Sequence, residues 1–210
     1  MRALVVIDMQ NGFCHPEGSL AHVGMKLADV DQAVRATAEV VADARRNRVP
    51  VIFTRHVYRP GRADEGANAA RLNPRLAQLD GLVAGTWDGA LVAELGALPD
   101  DLTVDKVRFD AFLWTSLDPL LRGLGVSELV FAGVVTNICV ESTVRSAFMH
   151  DYEVTVLSDC CAAQTPRLHE ISLEALDAYG LATVTSVDAG FTFAREATVE
   201  PPAAAMPTVA

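Results

Sequence analysis

Basic residues are scarce in this chain: 17 Lys and Arg stand against 27 Asp and Glu, a net charge of −10. Such a field repels phosphate backbones and anionic lipid surfaces, so neither nucleic acid nor membrane is an expected partner. A small anionic substrate stays open, because one local cation can dominate a cleft. Long apolar runs are also lacking, and no stretch reaches the length of a bilayer-spanning helix. The opening MRALVVIDMQ has one basic residue, then a short apolar run closed by Asp8, with no small-residue cleavage site. A cytoplasmic protein is expected. Cysteine is sparse too, at positions 14, 139, 160 and 161. These make no disulfide framework and no zinc spacing, so free thiols, no metal and no cofactor are expected.

What is present fits one folded unit. Half of the 210 residues are hydrophobic and 21% are charged, enough for a sizeable single core. We place one domain over residues 1–198 and a Pro/Ala-rich tail over 199–210.

Apolar β-branched runs alternate with amphipathic stretches. Residues 3–7 form a continuous apolar run, as expected of a strand buried on both faces. Helical spacing follows over about 30–48, then a strand at 51–53 and an irregular, Gly- and Pro-containing segment from 56 to about 86. A weak strand at 102–104, a short helix at 119–124 stopped by Gly125, and a clear strand at 129–132 come next. A helix over 137–149, a strand at 154–157, a helix over 167–179 and a last strand at 182–185 complete the pattern. The expected fold is a doubly wound, mostly parallel six-stranded α/β sheet of Rossmann-like build, with helices on both faces.

Such sheets bind ligands beyond the carboxyl ends of their strands. Asp8 follows the first strand, Lys106 the third, and Cys139 lies just past the fourth. Each alone has an ordinary explanation: a turn carboxylate, a solvated lysine, a cysteine filling core. Their convergence on one crevice makes a catalytic triad the better reading. A helix N-terminus and a cation lower a thiol pKa, Asp8 can take the thiol proton, and backbone N–H groups before Cys139 can hold an oxyanion.

At these residues the chain resembles the isochorismatase-like superfamily of cysteine hydrolases. The matching segments are A-L-V-V-I-D-M-Q-N-G-F at 3–13, D-K-V-R-F-D-A-F at 105–112 and A-G-V-V-T-N-I-C-V-E-S-T-V-R at 132–145. The resemblance implies Asp8 as general base, Lys106 as orienting cation and Cys139 as nucleophile. It further implies a cis peptide between Val134 and Val135, an oxyanion hole from the N–H groups of Val135 and Cys139, sheet order 3-2-1-4-5-6, and homo-oligomers (dimer or tetramer).

Members that bind a metal carry an Asp-x-His pair after the second strand. Here that stretch reads Thr54-Arg55-His56, so no metal is expected, and His56 reads as a loop hydrogen-bonder. The runs Gly85-Thr86-Trp87-Asp88, Lys106-x-Arg108-Phe109 and Asn137-x-Cys139-Val140-Glu141-Ser142-Thr143 look most like ureidoacrylate and biuret amidohydrolases. The expected reaction is cleavage of a C–N bond in a small amide or ureido substrate through a thioester, releasing ammonia. Phe13, Trp87, Phe109, Asn11, Asn137 and Gln164 are the candidate substrate contacts, with Arg59 and Arg62 able to steer an anion. Competing readings are an enol-ether hydrolase with Cys139 a spectator, a nicotinamidase-like amidase, and a non-catalytic binding protein. Glu141 and Arg145, four apart on one helix, suit an ion pair.

Overall fold

The computed structural model describes residues 1–194; the tail expected at 199–210 lies outside the described residues. Six strands form one sheet: β1 (Arg2–Ile7), β2 (Val51–His56), β3 (Leu102–Lys106), β4 (Glu128–Val134), β5 (Glu153–Ala162) and β6 (Thr183–Thr185). Their spatial order is 3-2-1-4-5-6 and every pairing is parallel. The helices are α1 (Asn11–Cys14), α2 (Ser19–His22), α3 (Val30–Arg46), α4 (Ala67–Leu72), α5 (Pro74–Gln78), α6 (Leu117–Gly123), α7 (Glu141–Met149) and α8 (Pro166–Ala178).

The continuous apolar run in β1 has a direct structural cause. Leu4 and Val6 enter one core, packed with residues of α3, while Ala3, Val5 and Ile7 enter the core on the opposite face. Period-two alternation with both faces covered leaves no position for a polar residue.

The first two helices are single turns too short for a 3.6-residue period to be visible, and sequence reading passed over them. The irregular 56–86 segment contains α4 and α5; Pro74 starts α5, and the Asn73 side chain caps it. The helix expected over 137–149 is divided into a π-helical turn, Thr136–Val140, and α7. β5 is longer than its apolar stretch 154–157 suggested, so Cys160 and Cys161 lie within the strand. None of the described helices is long and apolar enough to cross a membrane.

One glycine sets the distance between the central strands. Gly133 has φ +131°, and a Cβ there would lie 2.2 Å from the Ile7 carbonyl oxygen and 2.5 Å from its nitrogen. Both obstacles are backbone, so a side chain would force β1 and β4 apart beside the site. Gly133→Ala is expected to destabilise by ~3 kcal/mol or more, lowering Tm by roughly 6–12 °C. Thermal denaturation of the purified variant checks this.

Candidate active site

Strand register brings the reactive groups together. Lys106 closes β3 and pairs in register with His56, which closes β2. Asp8 follows β1 in the left-handed conformation, φ 51°, so the strand's alternation ends there. Asp and Asn tolerate that conformation better than other side chains. β4 ends at Val134, the Val134–Val135 peptide is cis, and the π-helical turn carries Cys139 over the sheet edge.

Lys106 Nζ lies 2.6 Å from Asp8 Oδ2, and both side chains are wholly buried. The Thr54 hydroxyl donates to Asp8 Oδ1 at 2.7 Å and fixes the carboxylate plane. Asp8 Oδ2 faces the ammonium and receives no well-aligned hydrogen bond among the described residues. The Cys139 sulfur, a carboxylate oxygen of Asp8 and a ring nitrogen of His56 all lie within 4.8 Å of one another. Lys106 also donates to the Arg108 carbonyl at 3.0 Å.

Burial works against the Lys106 charge, but Asp8, and then Cys139, outweigh it and hold its pKa above the usual value. For Cys139 the balance runs the other way. Burial pushes the thiol up to about 12; Lys106 pulls it down and Asp8 adds to the rise. The sequence led us to expect a thiol acidified by a cation and a helix start. The structure corrects that, because Cys139 is only 2% exposed and desolvation dominates. At neutral pH the resting group is a thiol beside a base.

Of the three, Cys139 lines a small chamber of about 70 Å³, whose walls include Phe13, Leu20, Met25, His56, Tyr58 and Phe109; Asp8 and Lys106 lie behind it. Val135, Cys139 and Gln164 also face it. An outer cavity of about 570 Å³ shares His56, Ala69, Leu72 and Phe109 with the chamber and adds Arg71 and Arg108. Phe13, Phe109 and Gln164 thus stand where substrate contacts were expected, and the Oε1 of Gln164 is buried without a partner among the described residues.

Three expected contacts lie elsewhere. Trp87 is 52% exposed and packs edge-on against His15. Asn11 donates to the Trp87 carbonyl at 2.8 Å, holding that loop. Asn137 is not part of the chamber wall, and its Oδ1 is buried without a hydrogen-bond partner among the described residues. In the 85–88 run it is Asp88 that organises structure, accepting from Ser19 N, Ser19 Oγ and Leu82 N at 2.8, 2.7 and 2.6 Å.

Arg62 does not steer anions either. Its guanidinium donates to Glu65 at 2.6 and 3.0 Å and lies 4.3 Å over the Tyr58 ring, almost fully buried. Arg59 is exposed and 3.7 Å from Asp64. Glu141 and Arg145 do pair, at 2.8 Å, and Glu141 Oε2 also accepts from Ser172 on α8 at 2.7 Å.

Sequence reading gave His56 only as a loop hydrogen-bonder and passed over the roles of Tyr58, Thr54 and Gln10. His56 is no loop residue: it ends a strand, is 3% exposed, and reaches Tyr58 Oη at 2.9 Å through Nε2. Gln10 clamps the strand ends, donating to the His56 and Gly89 carbonyls and accepting from His56 N at 2.7 Å. The signal was available. Continuing β2 past Phe53 puts Thr54 and His56 on the face of Ile52, and aligning β3 beside it brings His56 to Lys106.

Asp8, His56 and Cys139 together offer enough ligand-type atoms for a metal ion. The Lys106 ammonium, however, is 2.6 Å from Asp8 and 3.5 Å from the His56 Nδ1. A second cation would meet it at close range in a buried site, so the donor set does not fit a resident metal.

Comparison with known proteins shows the family. Residues 2–189 match the isochorismatase domain model. The chain belongs to the isochorismatase family. The ureidoacrylate amidohydrolase RutB of Methylobacterium radiotolerans is 34% identical over 189 residues, 84% of this chain and 73% of that protein. RutB of Pseudomonas syringae pv. syringae is 36% identical over 168 residues, covering 75% and 69%. A cysteine hydrolase from Pseudomonas syringae pv. phaseolicola superposes with TM-score 0.79 at 30% identity, over 89% of each chain. The isochorismatase-family chain is thus a hydrolase of the α/β type, with the sheet order expected of it.

Proposed function

We propose that this isochorismatase-family chain is an amidohydrolase that cleaves a C–N bond of a small amide, ureido or carbamoyl compound through a thioester on Cys139. The observation that carries the reading is a chamber-lining thiol with a buried carboxylate beside it, the carboxylate paired with a buried ammonium. Relatives named as amidohydrolases support the bond type.

The charge balance explains why the trio is buried together. In the resting state Lys106 neutralises Asp8. When Asp8 takes the thiol proton, the same ammonium faces a thiolate and a neutral acid, so the net charge of the cluster is unchanged. The thiolate then attacks the substrate carbonyl carbon. The Val135 N–H, at the cis peptide that follows β4, would hold the oxyanion with the Cys139 N–H. Collapse of the adduct breaks the C–N bond, and the Asp8 proton passes to the leaving nitrogen, which departs as ammonia when it is a terminal amide. A water molecule, deprotonated by Asp8, hydrolyses the thioester and restores the thiol.

An ammonia-release screen over ureido acids, carbamoyl amino acids, biuret and nicotinamide tests the reading. Release from at least one ureido or carbamoyl compound is expected. Pyruvate release from an isochorismate-type enol ether, insensitive to thiol alkylation and without ammonia from any amide, would overturn it.

A further inference from the structure

The mechanism above leaves two buried groups beside the triad unused, His56 and Tyr58. Tyr58 is 3% exposed and both residues face the chamber. Their hydrogen-bond directions can be worked out from Lys106 outward. An ammonium has only donors, and Lys106 Nζ lies 3.5 Å from His56 Nδ1. An N–H on that nitrogen would point its positive end at the ammonium, so the favoured tautomer leaves Nδ1 bare and accepting. The ring is held neutral, its pKa well below the usual value, first by burial and then by Lys106, Arg108 and Arg62. A neutral ring with a bare Nδ1 carries its proton on Nε2, and Nε2 faces Tyr58 Oη at 2.9 Å. The phenol oxygen thus accepts, and its own hydrogen has no acceptor among the described residues.

We propose that Lys106, His56 and Tyr58 form an oriented hydrogen-bond relay that presents the Tyr58 hydroxyl as a donor to a substrate oxygen other than the scissile carbonyl. Tyr58 is the specificity residue and His56 positions it. The proposal rests on the amidohydrolase reading only for the kind of substrate. The preferred compounds are ureas or amides with a second acyl oxygen along the chain. Burial, with Glu65 adding to it, keeps the phenol protonated by raising its pKa to about 12. The remaining chamber wall is largely apolar, with Phe13, Leu20, Leu27 and Leu82. A missing hydrogen bond is therefore not readily replaced. Arg62 stacked 4.3 Å over the Tyr58 ring fixes its tilt.

Two neutral probes of equal length isolate the effect: 3-ureidopropanamide, which has the second carbonyl, and butylurea, which lacks it. Binding is measured by NMR titration of the full chain. Tyr58→Phe is expected to weaken 3-ureidopropanamide at least ~10-fold and to leave butylurea within about twofold. His56→Gln, which keeps an N–H near the Nε2 position, should retain most of the contrast; His56→Leu should lose it. Long-range ¹H–¹⁵N spectra of the unliganded wild-type enzyme should show His56 as the Nε2–H tautomer. An Nδ1–H ring or an imidazolium at neutral pH overturns the proposal. So does a Tyr58→Phe variant that weakens both probes equally or neither, or a wild-type enzyme that binds neither. If the contrast and tautomer hold but no ureido or carbamoyl compound releases ammonia, the hydrolase reading fails and the relay stands.

Discussion

Replacing Cys139 with alanine lowers ammonia release by at least ~10³-fold while leaving the fold intact. The loss is chemical, because no other sulfur can take over. Cys14, Cys160 and Cys161 are free and buried like Cys139, so burial does not mark the nucleophile. Position does: among the four, Cys139 alone lines the chamber beside Asp8. Removing one sulfur from a site 2% exposed leaves a void far smaller than a Leu→Ala cavity, costing about 1 kcal/mol. Circular dichroism and Tm should therefore stay near wild type. Alanine at Cys14, Cys160 or Cys161 should keep turnover within a few-fold. Full activity in Cys139→Ala would return the cysteine to ordinary core packing.

The same geometry changes what a labelling experiment should show. From sequence, a thiol next to a cation and a helix start looked intrinsically activated, and faster alkylation of Cys139 was the natural expectation. With burial pushing the group up to about 12, iodoacetamide should react slowly with the free enzyme at pH 7. Its rate should climb as pH rises toward that value, since only the thiolate attacks. Reactivity belongs to the complex, in which Asp8 accepts the proton as the carbonyl carbon arrives. Turnover, not resting-state labelling, separates enzyme from binding protein here.

Much of this site was readable before any coordinates. Strand ends in an open α/β sheet are found from apolar runs, and Asp8, Lys106 and Cys139 stand at or just past three such ends. The sequence was less informative where an element is shorter than its own period or where geometry is non-local. α1 and α2 span four residues each, less than two turns, so no repeat could betray them. Trp87 looked like a pocket wall because it is large and aromatic, yet a hydrogen bond from Asn11 to its carbonyl holds the loop with the indole turned to His15 and solvent. Arg62 looked like a free charge because Glu65, three residues on, only meets it when the 56–86 segment folds over Tyr58. His56 was placed in a loop for a different reason: the apolar run of β2 stops at Phe53. Strands continue past that point where polar side chains enter a site, and Thr54 and His56 do so.

Lys106→Met and Asp8→Asn are each expected to destabilise the fold by ~3–5 kcal/mol, and the double variant by much less than their sum. Either single change leaves a charge that is wholly buried and without its counter-ion, since both side chains are fully excluded from solvent. The double change removes both charges, while the amide oxygen introduced by Asp8→Asn can still accept from the Thr54 hydroxyl that now bonds Asp8 Oδ1 at 2.7 Å. Met fills most of the volume of the lysine stem. Urea denaturation of the four proteins gives the coupling energy directly, and additive losses would mean that the pair contributes no mutual stabilisation. The pH dependence has a definite sign. Because the Lys106 pKa is raised above 10.5, its contribution is fully present below that value, throughout the neutral range. It is lost only as pH rises through the folded pKa. Activity separates from stability in this cycle. The double variant folds but has neither a base for the thiol nor a cation for the thiolate, so its turnover should be as low as that of the worse single variant. A stable, inactive double variant would show that the buried pair serves the chemistry, since apolar and neutral groups hold the fold equally well.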